Sequence, residues 1–341
     1  MAESTGAVVA ARSPLERIGA AVGRYRELSL LVVMLGLGAA VALQAPRFVS
    51  VSNLTQVSTL ASIIAIAAVG QALVIITRNI DLSIESTIGL VALVVADLLA
   101  NQVLDVPVAM AAGVALGLVL GMGNGVLVAV FHIPAIVATL GTLSIYRGLS
   151  FLLAGGRQVT LTQLPDDYTN AARATVFGLP VFLLIAIGTV VVVGVALRRS
   201  RFGRQIYAVG SNPEAAAILG IRTGLVIFIA FALAGLLAGI AGVMWGMYFG
   251  TINATAATGS VLQIVAACVV GGVAIFGGSG TVVGAGLGAL FLGFIQNALI
   301  ILRLSQFWLG AIYGVVILLA VAADAVILHP LRRAQKRGRG G

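Results

Sequence analysis

The stretch Ser62–Leu99, SIIAIAAVGQALVIITRNIDLSIESTIGLVALVVADLL, sets two long apolar runs around a short polar interruption. Three charges, Arg78, Asp81 and Glu85, stand close together at that interruption. Each flanking run approaches the roughly 20 apolar residues needed to cross a bilayer core of about 30 Å. The reading is therefore two membrane spans joined by a tight charged connection. The rest of the chain decides whether that reading holds.

Of 341 residues, 60% are hydrophobic and 9% are charged, with 43 glycines and a mean hydropathy of +1.13. A soluble domain carries roughly a quarter of its residues charged, so this chain's solvent is largely lipid. Similar apolar runs recur to the end. Ten spans are expected near 28–45, 57–77, 83–100, 106–131, 135–154, 176–197, 225–249, 261–276, 281–301 and 307–328. The shortest, 83–100 and 261–276, read as broken or partly buried. The predicted fold is an all-α integral membrane protein. It has a short segment 1–27, a transmembrane domain over 28–328 and a basic tail over 329–341. No apolar core with a small-residue cleavage site precedes Arg26, so no cleavable leader is expected.

The net charge of +9 would suit a nucleic acid if it were clustered on a soluble face, but its placement points elsewhere. Ten spans put both termini on one side. With that side cytoplasmic, fifteen Lys and Arg fall inside and four, Arg47, Arg157, Arg173 and Arg303, fall outside. Arg147 is left within a span. This is the positive-inside pattern, so no nucleic acid is expected as a partner. The single cysteine, Cys268, excludes a disulfide within one chain, and no His or Cys cluster suggests a metal.

Glycines recur every four residues at Gly113, Gly117, Gly121 and Gly125, and again at Gly235 and Gly239 and at Gly284 and Gly288. That spacing lets helix backbones approach closely. Leu120-Gly-Met-Gly-Asn-Gly-Val-Leu127 also resembles Leu292-Gly-Phe-Ile-Gln-Asn-Ala-Leu299. The two spans cross in opposite directions. Either the chain is an inverted five-plus-five repeat, a common transporter plan, or glycine-rich helices match by chance.

Polar residues inside spans are costly and mark candidate sites. Asn124, Thr139, Thr142, Gln296 and Asn297 are candidates for a translocation path, and hydroxyls and amides with few charges suit a neutral polyhydroxylated solute. At about 1.5 Å per residue, Asp97 lies about 21 Å and Arg147 about 18 Å from the inner face, depths that predict an ion pair. Asp81 and Ser83 are expected to cap the helix they precede, with Arg78 pairing to Asp81. Asp97 would also be the carboxylate of an ion-driven transporter, the alternative reading. A membrane enzyme would need clustered catalytic side chains, and none stands out.

The longest inner connection, 198–223, contains Asn212-Pro-Glu-Ala-Ala-Ala-Ile-Leu-Gly-Ile221. Pro213 starts a short helix there, Glu214 lies in its first turn and Gly220 stops it. The longest outer connection is 155–175. No phosphate-binding Gly-x-x-x-x-Gly-Lys-Ser/Thr loop is present and Lys336 is the only lysine, so energy must come from a partner.

Glu214-Ala-Ala-x-x-x-Gly220 resembles the EAA-type loop of permease subunits of ATP-binding-cassette (ABC) importers. Thr77-Arg-Asn-Ile-Asp-Leu-Ser83, Ile133-Pro-Ala-Ile-Val-Ala-Thr-Leu-Gly-Thr-Leu143 with Tyr146-Arg-Gly148, Arg201-Phe-Gly-Arg-Gln-Ile-Tyr-Ala-Val-Gly210 and Gly271-Gly272 with Gly277-Gly-Ser-Gly280 resemble ribose-, xylose-, rhamnose- and autoinducer-2-type permeases. The likeness runs from about residue 50 to 325. It implies a multi-pass permease of the bacterial cytoplasmic membrane. Two permease chains, identical or paralogous, would pair, and a cytoplasmic ATPase carrying ATP and Mg would drive them. An external binding protein would deliver the solute, with Arg157, Asp166 and Asp167 as its docking segment. No cofactor is implied on this chain. Glu214, Ala215, Ala216 and Gly220 map onto the helix that couples to the ATPase. Glu85 departs from the family pattern, which more often has glycine there; it is expected to offset Arg78 or bond the first turn.

Overall fold

A computed structural model describes residues 26–319 and 322. The expectations for residues 1–25 and for the tail 329–341 lie outside them, as does the end of the last span. The chain is helical almost throughout. The helices are α1 Arg26–Gln44, α2 Val51–Ile76, α3 Ile84–Ala100, α4 Val106–Ala129, α5 Ala135–Ala154, α6 Asp166–Asn170, α7 Val181–Arg199, α8 Arg201–Ser211, α9 Pro213–Ile218, α10 Thr223–Phe249, α11 Ser260–Val270 and α12 Val282–Ile301, then α13 Trp308–Leu319.

Seven of these, α1, α2, α4, α5, α7, α10 and α12, are long and apolar enough to cross a bilayer. Their outward faces are lined by large apolar side chains such as Leu35, Val119, Val137, Leu152 and Val192. A surface so apolar over so many helices is covered by lipid rather than water. The all-helical membrane fold stands. One short hairpin, Thr175–Val176 against Leu179–Pro180, interrupts the helices, so α7 begins at Val181 rather than at 176. The turn at Phe177-Gly178 is left-handed at both residues.

An apolar helix need not face lipid. Over its apolar window α2 is 94% buried, and α10, α12, α7 and α11 pack around it. The most extensive contact in the molecule joins α4 to α10, and glycines make it. A Cβ on Gly117 would lie 2.5 Å from Gly239 Cα; one on Gly121 would lie 2.5 Å from Phe231 O and 2.6 Å from Gly235 Cα. Gly284 and Gly288 of α12 likewise press on the backbone of Gly271 and Ala267. The four-residue glycine spacing is therefore a packing seam in which backbones touch, as membrane helices allow where small residues face each other.

Two of the expected spans, 83–100 and 261–276, form helices too short to cross. At 17 and 11 residues, α3 and α11 rise about 25 Å and 16 Å against a core of about 30 Å. Both begin inside the bundle. The Gln71 amide, oriented to suit its neighbours, pairs with the backbone of Asp81, donating to its carbonyl and accepting from its N–H at 3.2 Å each. The connection 77–83 thus folds back beside the last turns of α2, and α3 starts well up the bundle. The first turn of α3 meets the first turn of α11 at Glu85, which accepts from the N–H groups of Gly259 at 2.8 Å and Val261 at 3.2 Å. From that junction α3 runs toward Arg157 and Val159, and α11 runs the other way, to Gly284 at the start of α12.

Candidate functional site

Arg147 of α5 faces Glu85, with Nη2 3.8 Å from Oε1, and its Nη1 donates to the carbonyls of Ala254 and Ala256 at 2.9 Å each. The expected Asp97–Arg147 ion pair does not form. Asp97 instead accepts from the Asn101 side chain at 3.1 Å, one turn on. Depth counting placed both at one level because it started α3 at the inner face. With α3 starting inside the bundle, Glu85 comes level with Arg147, and Asp97 moves to the far end. Nor does Glu85 offset Arg78. It neutralises Arg147 and caps α11, so the charge that departs from the family pattern joins α3, α5 and α11 at one point.

Asp81 also lacks its expected partner. Arg78, left-handed at φ 68°, turns away and donates through Nε to Phe276 O at 2.9 Å. Asp81 accepts from the Ser83 N–H at 2.9 Å and the Ser83 hydroxyl at 2.7 Å, so it holds the first residue of the helix boundary. Ser83 sits at the N-cap of α3, but its side chain makes no capping bond. Its oxygen is committed elsewhere, accepting from the Asn124 amide at 2.7 Å.

The five path candidates separate into two groups. Asn124 also meets the Tyr146 hydroxyl at 3.4 Å. The Thr139 hydroxyl lies 2.8 Å from Ala135 O and 3.3 Å from Ile80 O, and that of Thr142 donates to Thr139 O at 3.3 Å. All three are buried; Asn124 and Thr139 tie the 77–83 connection to α4 and α5, while Thr142 bonds only within α5. Gln296 and Asn297 on α12 stand instead at open space. Asn297 exchanges two amide hydrogen bonds with Asn53 of α2, at 2.9 and 3.0 Å. Gln296 lies 3.5 Å from Gln263 of α11. A cavity of about 440 Å³ opens at this end of α2 and α12, and a smaller one of about 100 Å³ lies deeper.

The opposite end of α2 carries a second constellation. The expected short helix is present as α9. Asn212 caps it by accepting from the Ala215 N–H at 3.0 Å. Left-handed Gly220 ends it, its N–H donating to Ala217 O while that of Ile221 donates to Ala216 O. Glu214 and Ala215 are exposed and Ala216 is buried. Two residues here escaped the sequence reading: Ile218 and Leu219 stand 86% and 79% exposed. Their signal was available, as two large aliphatics beside a capped turn too short to enter lipid.

The helix preceding α9 was also missed. α8 buries Gly203, Ile206, Val209 and Gly210 and exposes Arg201 and Arg204, an amphipathic pattern within a stretch read as a connection. It is locked to the bundle. Gly210 packs directly on Ile76 O, Gly278 N–H donates to that same carbonyl at 2.9 Å, and the Tyr207 hydroxyl donates to Gly280 O at 2.8 Å. Burial raises the Tyr207 pKa, with Arg198 pulling it back, so the phenol stays protonated and keeps this bond. α8, the end of α2 and the glycine loop after α11 form one plate bearing α9.

At the other pole, the connection 155–175 folds around Tyr168, which is fully buried and donates to Val243 O at 3.0 Å. Arg157, Asp166 and Asp167 remain exposed. Among the described residues no group of three His, Cys, Asp or Glu side chains could hold a metal ion.

Comparisons with known proteins identify the family. Residues 53–321 match the family described as branched-chain amino acid transport system / permease component. The autoinducer 2 import system permease protein LsrC of Escherichia coli O9:H4 (strain HS) is 39% identical over 291 residues, covering 85% of this chain and 84% of that protein. LsrC of Salmonella typhi is equally identical over 85% and 83% of the two chains. No solved structure matches. With a membrane-spanning helical bundle, no phosphate-binding loop of its own and a family match over most of its length, the chain belongs to this permease family and is the membrane subunit of an ABC importer for a sugar-like solute.

Proposed function

We propose that this permease imports a neutral, polyhydroxylated solute of furanosyl type, resembling autoinducer 2, ribose or rhamnose. The observation that carries the substrate class is the state of the two short helices that begin inside the bundle, α3 and α11. A half-helix start inside a membrane is a ready site for an anionic group. Here Asp81 holds the Ser83 N–H before α3, and Glu85 occupies the Gly259 and Val261 N–H groups at α11. The chain's own carboxylates fill both positions, leaving amides and hydroxyls for the solute. The relatives, named for autoinducer 2 import, favour the same class.

In this reading the termini and α9 face the cytoplasm, and two permease chains, identical or paralogous, pair in the membrane. α9 seats in a partner ATPase that holds ATP and Mg, with Ile218 and Leu219 supplying apolar contact and Glu214 a charged one. The plate of α8, the α2 end and the 271–281 loop carries that movement to α11 and the bundle, shifting it between inward- and outward-open states. The outer segment with Arg157, Asp166 and Asp167 receives the binding protein. The short helices α3 and α11 hold equivalent places in an inverted five-plus-five repeat, which also relates α4 to α12.

The test is uptake into proteoliposomes holding the permease, its ATPase and its binding protein, with autoinducer 2, D-ribose and L-rhamnose as solutes. Uptake should require ATP and survive collapse of the proton and sodium gradients. Accumulation that followed an ion gradient without ATP would support the secondary-transporter alternative instead.

A further inference from the structure

We propose that the cavity where α2 begins and α12 ends holds the phosphate group of an anionic phospholipid, gripped by Arg47 and Arg303. The cavity measures about 440 Å³, within the size range of small-molecule sites, roughly 300–1,000 Å³. Its polar lining includes Arg47, Ser52, Gln56 and Arg303, and its apolar lining is Ile300 and Ile301. It opens at the ends of two membrane-spanning helices, so it sits at the boundary between hydrocarbon and water. Two of the four arginines read as outer thus converge on one small space, and like charges left together there repel unless an anion joins them. No Asp or Glu lines the cavity, and the one ion pair among the described residues, Arg147 with Glu85, lies elsewhere. The positive end of α2 adds to the same field.

The backbone fixes both arginines. Arg47 lies in the short 3-10 turn Pro46–Val49, and its neighbour Phe48 is buried against Phe294 of α12, ring centroids 5.8 Å apart. Arg303 is left-handed at φ 56°. Its N–H donates to Ile300 O at 3.1 Å, and that of Leu304 donates to Leu299 O at 2.8 Å. In this helix-ending motif the left-handed position is ordinarily glycine. An arginine kept where glycine fits better points to a use for its side chain. A phospholipid suits these surroundings. Guanidinium groups bind phosphate oxygens through paired N–H donors, as basic pockets between membrane helices do with other anionic lipids. Ser52 and Gln56 offer a hydroxyl and an amide to the glycerol hydroxyls of a phosphatidylglycerol head group. A zwitterionic head group would bring a cation into a space with no carboxylate to receive it. Val49, Val51 and Leu304 stand exposed beside these residues, apolar side chains that acyl chains can cover.

Native mass spectrometry of the full-chain permease in a neutral detergent reads this binding directly, with phosphatidylglycerol, phosphatidylcholine and inorganic phosphate added in turn. Wild type should retain phosphatidylglycerol at least fivefold more than phosphatidylcholine, and inorganic phosphate in excess should not displace it. Arg47→Gln and Arg303→Gly should each cut that retention at least fivefold. Arg173→Gln, which removes an exposed arginine away from the cavity, should leave it unchanged. Arg303→Gly relieves the left-handed backbone, so its thermal midpoint without lipid should equal or exceed that of wild type. Loss of lipid by that variant is then loss of the site and not of the fold. Should Arg303→Gly fail to fold, Arg47→Gln alone decides. Displacement by inorganic phosphate would make this a free-anion site, and equal retention in every variant would show annular lipid only; either overturns the proposal. So would unchanged lipid retention with lost capture of the binding protein, which would assign the two arginines to an acidic surface of that partner.

Discussion

At the scale of single residues, Glu85 illustrates how position outweighs type. In the sequence it is one of three clustered charges; in the structure it neutralises Arg147 and caps α11. Removing one member of a buried pair leaves an uncompensated charge and costs about 3–5 kcal/mol. Glu85→Ala should therefore lower the thermal midpoint of the detergent-purified permease sharply. Asp97→Asn, which alters only a partly exposed bond to Asn101, should cost under about 1 kcal/mol. Equal losses from the two variants would mean that Asp97 carries the structural charge after all. The sequence showed that charges inside spans need partners but not which partners, because depth along α3 depends on where that helix begins. That start is set by seven residues folding back beside α2, a tertiary feature with no periodic signal.

Elements were more legible. Hydropathy located every long span among the described residues, and the two expected to be broken are the two short helices that begin inside the bundle. The α4–α10 seam was readable from glycine spacing, since only small residues let backbones touch. Gly121→Ala should destabilise the permease by about 1–3 kcal/mol, because the new methyl overlaps the Phe231 carbonyl and the chain around Gly235. Gly141→Ala meets nothing within 4 Å and should be neutral or stabilising by up to about 1 kcal/mol. Thermal unfolding of the two variants in one detergent checks the contrast, and a harmless Gly121→Ala would show that the helices can part freely. What stayed hidden was amphipathic or brief. α8 has too few apolar residues to register as a span, and the Thr175–Pro180 hairpin is too short to show alternation.

At the scale of the whole molecule, the two poles divide the work. One end opens into a polar cavity between α2 and α12; the other presents a capped helix with two bare aliphatic side chains on a plate glued to α2 and to the loop after α11. The EAA-like spacing was visible in the sequence because it is local. The cavity was not, because Asn53 and Asn297 lie 244 residues apart and only folding brings them together. The path candidates Asn124, Thr139 and Thr142 illustrate the converse. Hydroxyls and amides within a span look alike whether they line water or bind other parts of the protein; here Asn124 and Thr139 bond the 77–83 connection and Thr142 bonds its own helix.

The measurement to make first is pull-down of the ATPase by this permease, solubilised gently, with ATP hydrolysis then assayed in lipid in the presence of the solute-loaded binding protein. Wild type should retain the ATPase and show solute-stimulated hydrolysis. Glu214→Arg, on the exposed face of α9, should lose at least tenfold of both while still folding. Retention and stimulation unchanged by Glu214→Arg, in a variant shown to be folded, would contradict the assignment of α9 as the element through which the ATPase drives transport.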